Sequence, residues 1–182
     1  FGTVLESVTQ GRSGRDIQGA GEIVLGTYTT TSTFDASGGQ LDALTTGQSQ
    51  NLAGRQTGTY QTTSLYDAEY NNLTSQVTQG LNFSYDATGT QFTSGDYTTT
   101  ATVIDGFGTV RESVTQGRSG RDIQGPSEIV LGTYTTTSTF DESGGQLDAV
   151  TTGQSQNLTG RQTGSYTTTS LYGADYNNLV SQ

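Results

Sequence analysis

Residues 28–38, Tyr28-Thr-Thr-Thr-Ser-Thr-Phe34-Asp35-Ala-Ser-Gly38, decide the fold. Tyr28, Ser32 and Phe34 alternate with threonines, so they fall on one face of an extended strand. Asp35, followed three places later by Gly38, is typical of a type I turn that a glycine with positive φ closes. The stretch therefore predicts a β-strand that runs into a hairpin turn.

The same turn signal, an acidic or amide residue followed three places later by glycine, recurs at steps of 16 to 19 residues. Asp67 keeps the acidic residue but has Tyr70 where glycine is expected. Between these signals lie further glycines in polar surroundings, which we interpret as second turns, so that each unit has two strands of about six residues. The predicted turn residues are Asp16, Gly19, Asp35, Gly38, Asn51, Gly54, Asp67, Asp86, Gly89, Asp105, Gly108, Asp122, Gly125, Asp141, Gly144, Asn157 and Gly160, and the midway glycines are Gly11, Gly14, Gly26, Gly47, Gly58, Gly80 and Gly95.

A longer repeat contains these units. Residues 1–76 and 107–182 are identical at 65 of 76 positions, with a constant offset of 106. We therefore divide the chain into a first long repeat, 1–106, of six sub-units of 16–19 residues, and a second, incomplete copy, 107–182. Such near-identity leads us to expect a piece of a longer array.

The composition favours strands and stacking. Thr, Val, Ile, Tyr and Phe suit a pleated surface, and the frequent glycines would interrupt a helix. One unit has too few apolar side chains to offset the entropy of ordering it, so units must stack on their neighbours. The predicted fold class is all-β, an elongated tandem array of short β-hairpins in an antiparallel meander or spiral; the alternative is a parallel β-solenoid.

Composition also excludes several function classes. The chain has no His, Cys or Lys, which removes thiol nucleophiles, soft-ligand metal sites and Schiff bases. A net charge of −10 has the wrong sign for a nucleic acid partner. The sequence has no apolar run of about 20 residues, so we expect no membrane insertion of this segment. We predict that the protein is not an enzyme and needs no cofactor.

Two sets of charged residues are candidate sites. Asp16, Glu22, Asp35 and Asp42 are candidates for binding Ca²⁺, which takes oxygen ligands; the alternative is that each aspartate caps its own turn. Arginines of the repeated Gly-Arg-Ser-Gly-Arg-Asp motif could grip a carboxylate of a neighbouring chain, or could simply offset local acidity. These arginines are Arg12, Arg15, Arg118 and Arg121.

Three turn segments resemble a known family. Residues 83–89, 64–68 and 33–38, Phe-Ser-Tyr-Asp-Ala-Thr-Gly, Ser-Leu-Tyr-Asp-Ala and Thr-Phe-Asp-Ala-Ser-Gly, resemble the YD repeats of Rhs-type and wall-associated bacterial surface proteins. The long, Lys-free repeats rich in Thr, Gly and Gln also resemble those of giant microbial adhesins and extracellular fibre proteins. The resemblance implies an extracellular or cell-surface protein built of β-hairpins.

From these observations we expect a structural extracellular protein that builds a fibre, stalk or sheath by stacking its repeats and by self-association with other copies. The alternative is an adhesin segment that binds glycans or surfaces through tyrosine-bearing faces such as Tyr28, Tyr60 and Tyr97.

Overall fold

The computed structural model describes residues 2–173 and 177–182, and every regular element in these ranges is a β-strand. Eleven strands form one sheet in chain order, and each described pair of neighbours is antiparallel. The predicted antiparallel hairpin array is thus confirmed, and the parallel solenoid is wrong. The strands are β1 Glu6–Arg15, β2 Ile23–Phe34, β3 Gln40–Gln50, β4 Gln56–Tyr66, β5 Leu73–Tyr85, β6 Gln91–Ile104, β7 Val110–Arg121, β8 Ile129–Phe140, β9 Gln146–Gln156, β10 Gln162–Tyr172 and β11 Leu179–Ser181.

Each unit of the short period forms one strand and one turn. Strands β1 to β10 contain 10 to 14 residues, which corrects the expectation of two six-residue strands per unit. The midway glycines, from Gly11 to Gly95, lie inside or at the edge of these strands rather than at turns. The sheet is therefore a meander of long strands, and adjacent units pair as hairpins.

Six turns have the geometry that the spacing predicts. In the β2–β3 turn, the Gly38 amide donates to the Asp35 carbonyl at 3.1 Å and Gly38 has a φ of 92°. The Asp35 amide then donates to the Gly39 carbonyl at 2.8 Å, which resumes the ladder after a one-glycine bulge. The turns that begin at Asn51, Asp86, Asp105, Asp141 and Asn157 repeat this pattern.

The remaining described turns differ from the prediction. At the β1–β2 turn the positive φ falls on Asp16 and Gln18, at 48° and 68°, and not on Gly19. The β7–β8 turn repeats this, with Asp122 and Gln124 in place of Gly125. In the β4–β5 turn, where Tyr70 occupies the glycine position, the loop is one residue longer and Asn71 takes the positive φ of 60°.

The sheet is a single layer. Its accessible surface is 11310 Å², against about 8,400 Å² for a compact protein of this mass. Among the described residues, only Ile123 is a fully buried apolar side chain, at 2 % exposure. The part of the chain that the structure describes therefore places no covering layer on either face of the sheet, and the stabilising contacts must lie between neighbouring strands.

The 106-residue repeat corresponds to six strands, β1 to β6. Because six is even, β7 runs in the direction of β1, and equivalent turns lie at the same edge of the sheet. The boundary between residues 106 and 107 falls inside the β6–β7 turn, between Asp105 and Thr109. Pairing continues across it from β6 to β7, so the second copy extends the sheet of the first.

Candidate functional site

One face of the sheet carries a row in which tyrosine and glycine alternate from strand to strand. Strand pairing places these residues directly opposite one another, and partners in a sheet share a face. We call this surface the tyrosine face and the row the Tyr/Gly row. The row consists of Gly11, Tyr28, Gly47, Tyr60, Gly80, Tyr97, Gly117, Tyr134, Gly153 and Tyr166.

Each tyrosine ring lies over the glycine of the preceding strand. A Cβ atom built on Gly80 would overlap the Tyr97 ring, and one built on Gly47 would overlap the Tyr60 ring. Glycine is required here because a ring and a side chain cannot occupy the same space. This close approach, rather than a turn, explains Gly11, Gly47 and Gly80 in mid-strand.

The other midway glycines have a related role in the strands. Gly26, Gly58 and Gly95 lie two residues before the tyrosines, directly opposite Ser13, Ser49 or Asn82 in neighbouring strands. A Cβ on Gly95 would lie 2.8 Å from the Arg118 carbonyl oxygen. Gly14, at a register shift in β1, would meet the Ile23 carbonyl. Close approach of neighbouring strands therefore requires glycine at these positions as well.

Beside the Tyr/Gly row runs a row made only of threonine, which we call the Thr row. Its hydroxyls are joined in pairs across neighbouring strands, with Oγ1 to Oγ1 distances of 2.8 Å for Thr30 and Thr45, and for Thr62 and Thr78. Thr99 and Thr115 repeat this distance, as do Thr136 and Thr151. The full row is Thr9, Thr30, Thr45, Thr62, Thr78, Thr99, Thr115, Thr136, Thr151 and Thr168.

The two rows stabilise alternate strand interfaces. The rings overlie glycines between β1 and β2, β3 and β4, β5 and β6, β7 and β8, and β9 and β10. The hydroxyl pairs join β2 to β3, β4 to β5, β6 to β7, and β8 to β9. Every interface from β1 to β10 therefore has either an aromatic contact or a side-chain hydrogen bond, although the described residues form no core beneath the sheet.

A third row on the same face contains small residues. Ser32 and Ser64 are 9 % and 6 % exposed, which makes them among the most buried polar residues described. The Gln40 and Gln76 amides donate to their hydroxyls at 3.3 and 3.2 Å. This row therefore adds side-chain hydrogen bonds to those of the Thr row.

Burial on this face changes the chemistry of the tyrosines. It raises the pKa of Tyr97 above its ordinary value of 10.0, with a smaller contribution from Tyr60. Burial also raises the pKa of Tyr134, and the neighbouring Tyr97 and Tyr166 add to the shift. The phenols of Tyr97 and Tyr134 are therefore neutral at physiological pH.

The opposite face carries a shallow, open groove of about 1150 Å³ that crosses the strands from β2 to β8. Threonine and glutamine side chains predominate along its two sides, for example Thr46, Gln61, Gln79 and Thr98. Such a lining offers hydrogen-bond donors and acceptors over several strands.

The turn carboxylates accept hydrogen bonds from amides and hydroxyls of their own turns. Asp35 Oδ1 accepts hydrogen bonds from the Ser37 amide, the Ser37 hydroxyl and the Gly39 amide at 2.7 to 2.8 Å. The Ser37 hydroxyl and the Gly39 amide lower the pKa of Asp35 below 3.8. Asn51 forms the equivalent amide bonds with a neutral oxygen, at 2.9 and 3.0 Å to Ala53 and Arg55.

The four calcium candidates do not converge. Asp16 accepts from the Gly21 amide at 2.9 Å, and Glu22 binds Arg12 at 2.6 Å. Asp35 lies in the β2–β3 turn and Asp42 within β3. Over residues 2–173 and 177–182, no three acidic side chains form a group that could hold a metal ion.

The candidate arginines are placed differently in the two copies. Arg118 forms a two-pronged contact with Asp96, at 3.0 Å from Nε and 2.6 Å from Nη2, and its Nη1 also binds Glu128 at 3.0 Å. Arg12, its counterpart, binds Glu22 alone among the ion pairs described. Arg15 and Arg121 lie at strand ends, opposite Ile23 and Ile129. The two carboxylates that Arg118 binds, those of Asp96 and Glu128, belong to the same chain as Arg118.

The described part of the chain offers no helix of the length and apolarity needed to cross a bilayer. No family model, curated protein or solved structure matches the sequence.

Proposed function

We propose that this chain is part of a structural, extracellular repeat protein that builds a fibre, stalk or sheath, and that it has no catalytic activity. The observation that supports this proposal is the continuity of the Tyr/Gly and Thr rows across the junction of the two copies. Tyr97 of the first copy pairs with Gly117 of the second, and Thr99 is hydrogen-bonded to Thr115. Further copies added in the same way would lengthen one sheet.

The architecture suits a spacer. Stability comes from contacts between adjacent strands, so it accumulates with strand number and does not require a closed core. Each 106-residue copy adds six strands, or roughly 29 Å at the usual strand spacing of about 4.8 Å. The location outside the cell belongs to the same proposal and is supported by the resemblance of the repeats to microbial surface proteins.

Solution scattering on arrays of increasing length tests this proposal. Chains extended by one and by two further copies of 1–106 should each gain about 29 Å in maximum dimension per copy. Micrographs of the longest array should show uniform, narrow filaments. Arrays whose maximum dimension grows only with the cube root of mass, as compact particles do, would contradict it.

Glycan binding is a second candidate, favoured by the spacing of the rings on the tyrosine face. Successive tyrosines are two strands apart, about 9.6 Å at the usual strand spacing, and Tyr28 is 39 % exposed. Flat, partly exposed rings can stack on sugar rings. Binding to a glycan array that is lost in Tyr60→Ala and Tyr97→Ala, but kept in Tyr70→Ala, would establish it, since Tyr70 lies outside the row. Equal binding by all three variants would exclude this face.

A further inference from the structure

The junction between the copies contains contacts that join residues of the first copy to residues of the second. Arg118 and Gln124, both of the second copy, bind the Asp96 carboxylate of the first; the Gln124 distance is 2.8 Å. The Ile123 amide donates to the Thr93 carbonyl at 3.0 Å, and the Ile123 side chain is 2 % exposed. The β7–β8 turn thus folds back over strand β6, and these contacts hold the second copy against the first.

The first copy contains the same residues at the positions that correspond to Arg118, Ile123 and Gln124. Residues 11–19 and 117–125 have identical sequences, so that Arg12, Ile17 and Gln18 correspond to Arg118, Ile123 and Gln124. Glu22 already holds Arg12 and the Gln18 amide, at 2.6 and 2.8 Å, just as Glu128 holds the second-copy pair. Half of the network is therefore formed in the first copy.

The other half lacks its partner strand among the described residues, and apolar side chains are exposed there. Val8 is 55 % exposed, whereas its counterpart Val114 is half-buried against β6 and β8. Ile17 is half-buried, whereas Ile123 is fully buried. The difference arises because β6 covers one side of β7, while β1, among the strands of residues 2–173 and 177–182, pairs with β2 alone.

We propose that the outer edge of β1, together with Arg12, Ile17 and Gln18, is a docking surface for strand β6 of another copy of this repeat. Asp96 of the incoming strand would enter between Arg12 and Gln18, and its Thr93 carbonyl would accept from the Ile17 amide. The inference rests on the proposed tandem architecture and is continuous with the interface that β6 and β7 already form.

A hairpin added in cis tests the surface. Residues 73–106, which contain β5, β6 and the start of the next turn, are placed directly before Phe1, so that the natural 106/107 junction is recreated. We expect amide hydrogen exchange in β1 to slow by at least about tenfold, to the level of β7. Asp96→Arg in the added hairpin alone should abolish this protection, and Arg12→Asp in the chain should restore it.

A control hairpin separates specific docking from general edge pairing. Residues 40–66 contain β3 and β4, and strand pairing through Leu81 places Thr59 of β4 at the position that corresponds to Asp96 of β6. This hairpin therefore has Tyr60 of the Tyr/Gly row but lacks the carboxylate. Equal protection of β1 by this hairpin would overturn the proposal. If the β5–β6 hairpin leaves β1 unprotected while longer arrays still gain about 29 Å per copy, the docking surface is wrong and the proposed function stands.

Discussion

The ring of Tyr97 lies over Gly80, its direct partner on the neighbouring strand, where any larger residue would collide with it. A glycine in mid-strand ordinarily weakens a sheet, because it loses more conformational entropy on folding and has no side chain to pack. Here the ring covers the glycine backbone and restores the lost packing. The same arrangement recurs in four other hairpins, so we regard it as the main device that allows the sheet to remain a single layer.

Gly80→Ala should destabilise the protein by about 1–3 kcal/mol, since the added methyl group must displace the Tyr97 ring. Chemical denaturation with far-UV detection measures the change. In a Gly80→Ala, Tyr97→Ala double variant the alanine at position 80 should cost much less, because the ring is absent. Gly164→Ala is the matched control, since a Cβ there meets nothing within 4 Å. Equal losses at both glycines would contradict the role of the ring.

Thr62→Val should cost about 0.5–1.5 kcal/mol, because it keeps the shape of the side chain but leaves the Thr78 hydroxyl without its partner. Thr63→Val is the control: Thr63 is exposed on the opposite face between Leu44 and Val77. That variant should be neutral or slightly more stable. The hypothesis fails if the two substitutions have the same effect on the free energy of unfolding.

Acid should destabilise the fold through its turns. Hydrogen bonds from hydroxyls and amides lower the pKa of Asp35, Asp86 and Asp141 below 3.8. A carboxyl whose pKa is lower in the folded than in the unfolded chain stabilises the fold above the unfolded pKa. This contribution is lost as the pH falls through the folded pKa, so we expect the melting temperature to fall below about pH 4.

Exchanging acid and amide at the turns tests this pH dependence. In the triple variant Asp35→Asn, Asp86→Asn, Asp141→Asn, the melting temperature should fall less between pH 7 and pH 2 than in the parent protein. In Asn51→Asp the melting temperature should fall more over the same pH range, because the substitution adds a carboxylate to an equivalent turn whose side chain is neutral in the parent. Parallel melting curves for all three proteins would show that the turn carboxylates do not control acid stability.

Asp96→Asn should lower the stability by about 1 kcal/mol, a moderate value because the paired Arg118 is partly exposed. The Arg118 guanidinium is the main cause of the lowered pKa of Asp96, so the loss should disappear in acid, where both proteins are neutral at this position. Glu142→Gln is the control, since Ala36 occupies that turn position in the first copy. Urea denaturation at pH 7 and at a series of pH values down to 2 measures both effects, since the difference disappears only below the folded pKa of Asp96.

The turns could be predicted from sequence because their chemistry is local. Asp35 and Gly38 are three residues apart, and all the bonds that define the turn lie within five residues. The prediction that Gly19 has the positive φ is wrong, because the β1–β2 loop is longer than the Asp-x-x-Gly spacing implies. Asp16 and Gln18 take the positive φ instead, and the Asp16 carboxylate accepts a hydrogen bond from the Gly21 amide that holds this loop.

The glycines of the Tyr/Gly row could not be interpreted from their neighbours. An isolated glycine indicates a turn or a close approach equally well, and the ring that decides between them is 13 to 17 residues away. A signal was nevertheless present. Gly47 and Tyr60 lie 5.5 and 7.5 residues from the middle of the Asn51–Gly54 turn, and Gly80 and Tyr97 lie 7.5 and 9.5 residues from the middle of the Asp86–Gly89 turn. In both hairpins the tyrosine is two residues farther from the turn than the glycine, because the turn contains a bulge and the strand register shifts once beside it.

The calcium candidates and the Arg118 cluster illustrate the same limit. The sequence identified Asp16 and Asp35 as turn residues but not what their oxygens bind. Nothing near Asp96 in the sequence indicates its role, because its partners Arg118 and Gln124 follow 22 and 28 residues later, in the next repeat.

The alternation of tyrosine and glycine along the sheet restricts how such a gene can change its length. Deleting one strand, for example β5, would bring Tyr60 beside Tyr97 and reverse the direction of every strand that follows. Removing two strands, or recombining whole six-strand copies, leaves ring opposite glycine and hydroxyl opposite hydroxyl. Natural variants should therefore differ in size by even numbers of strands.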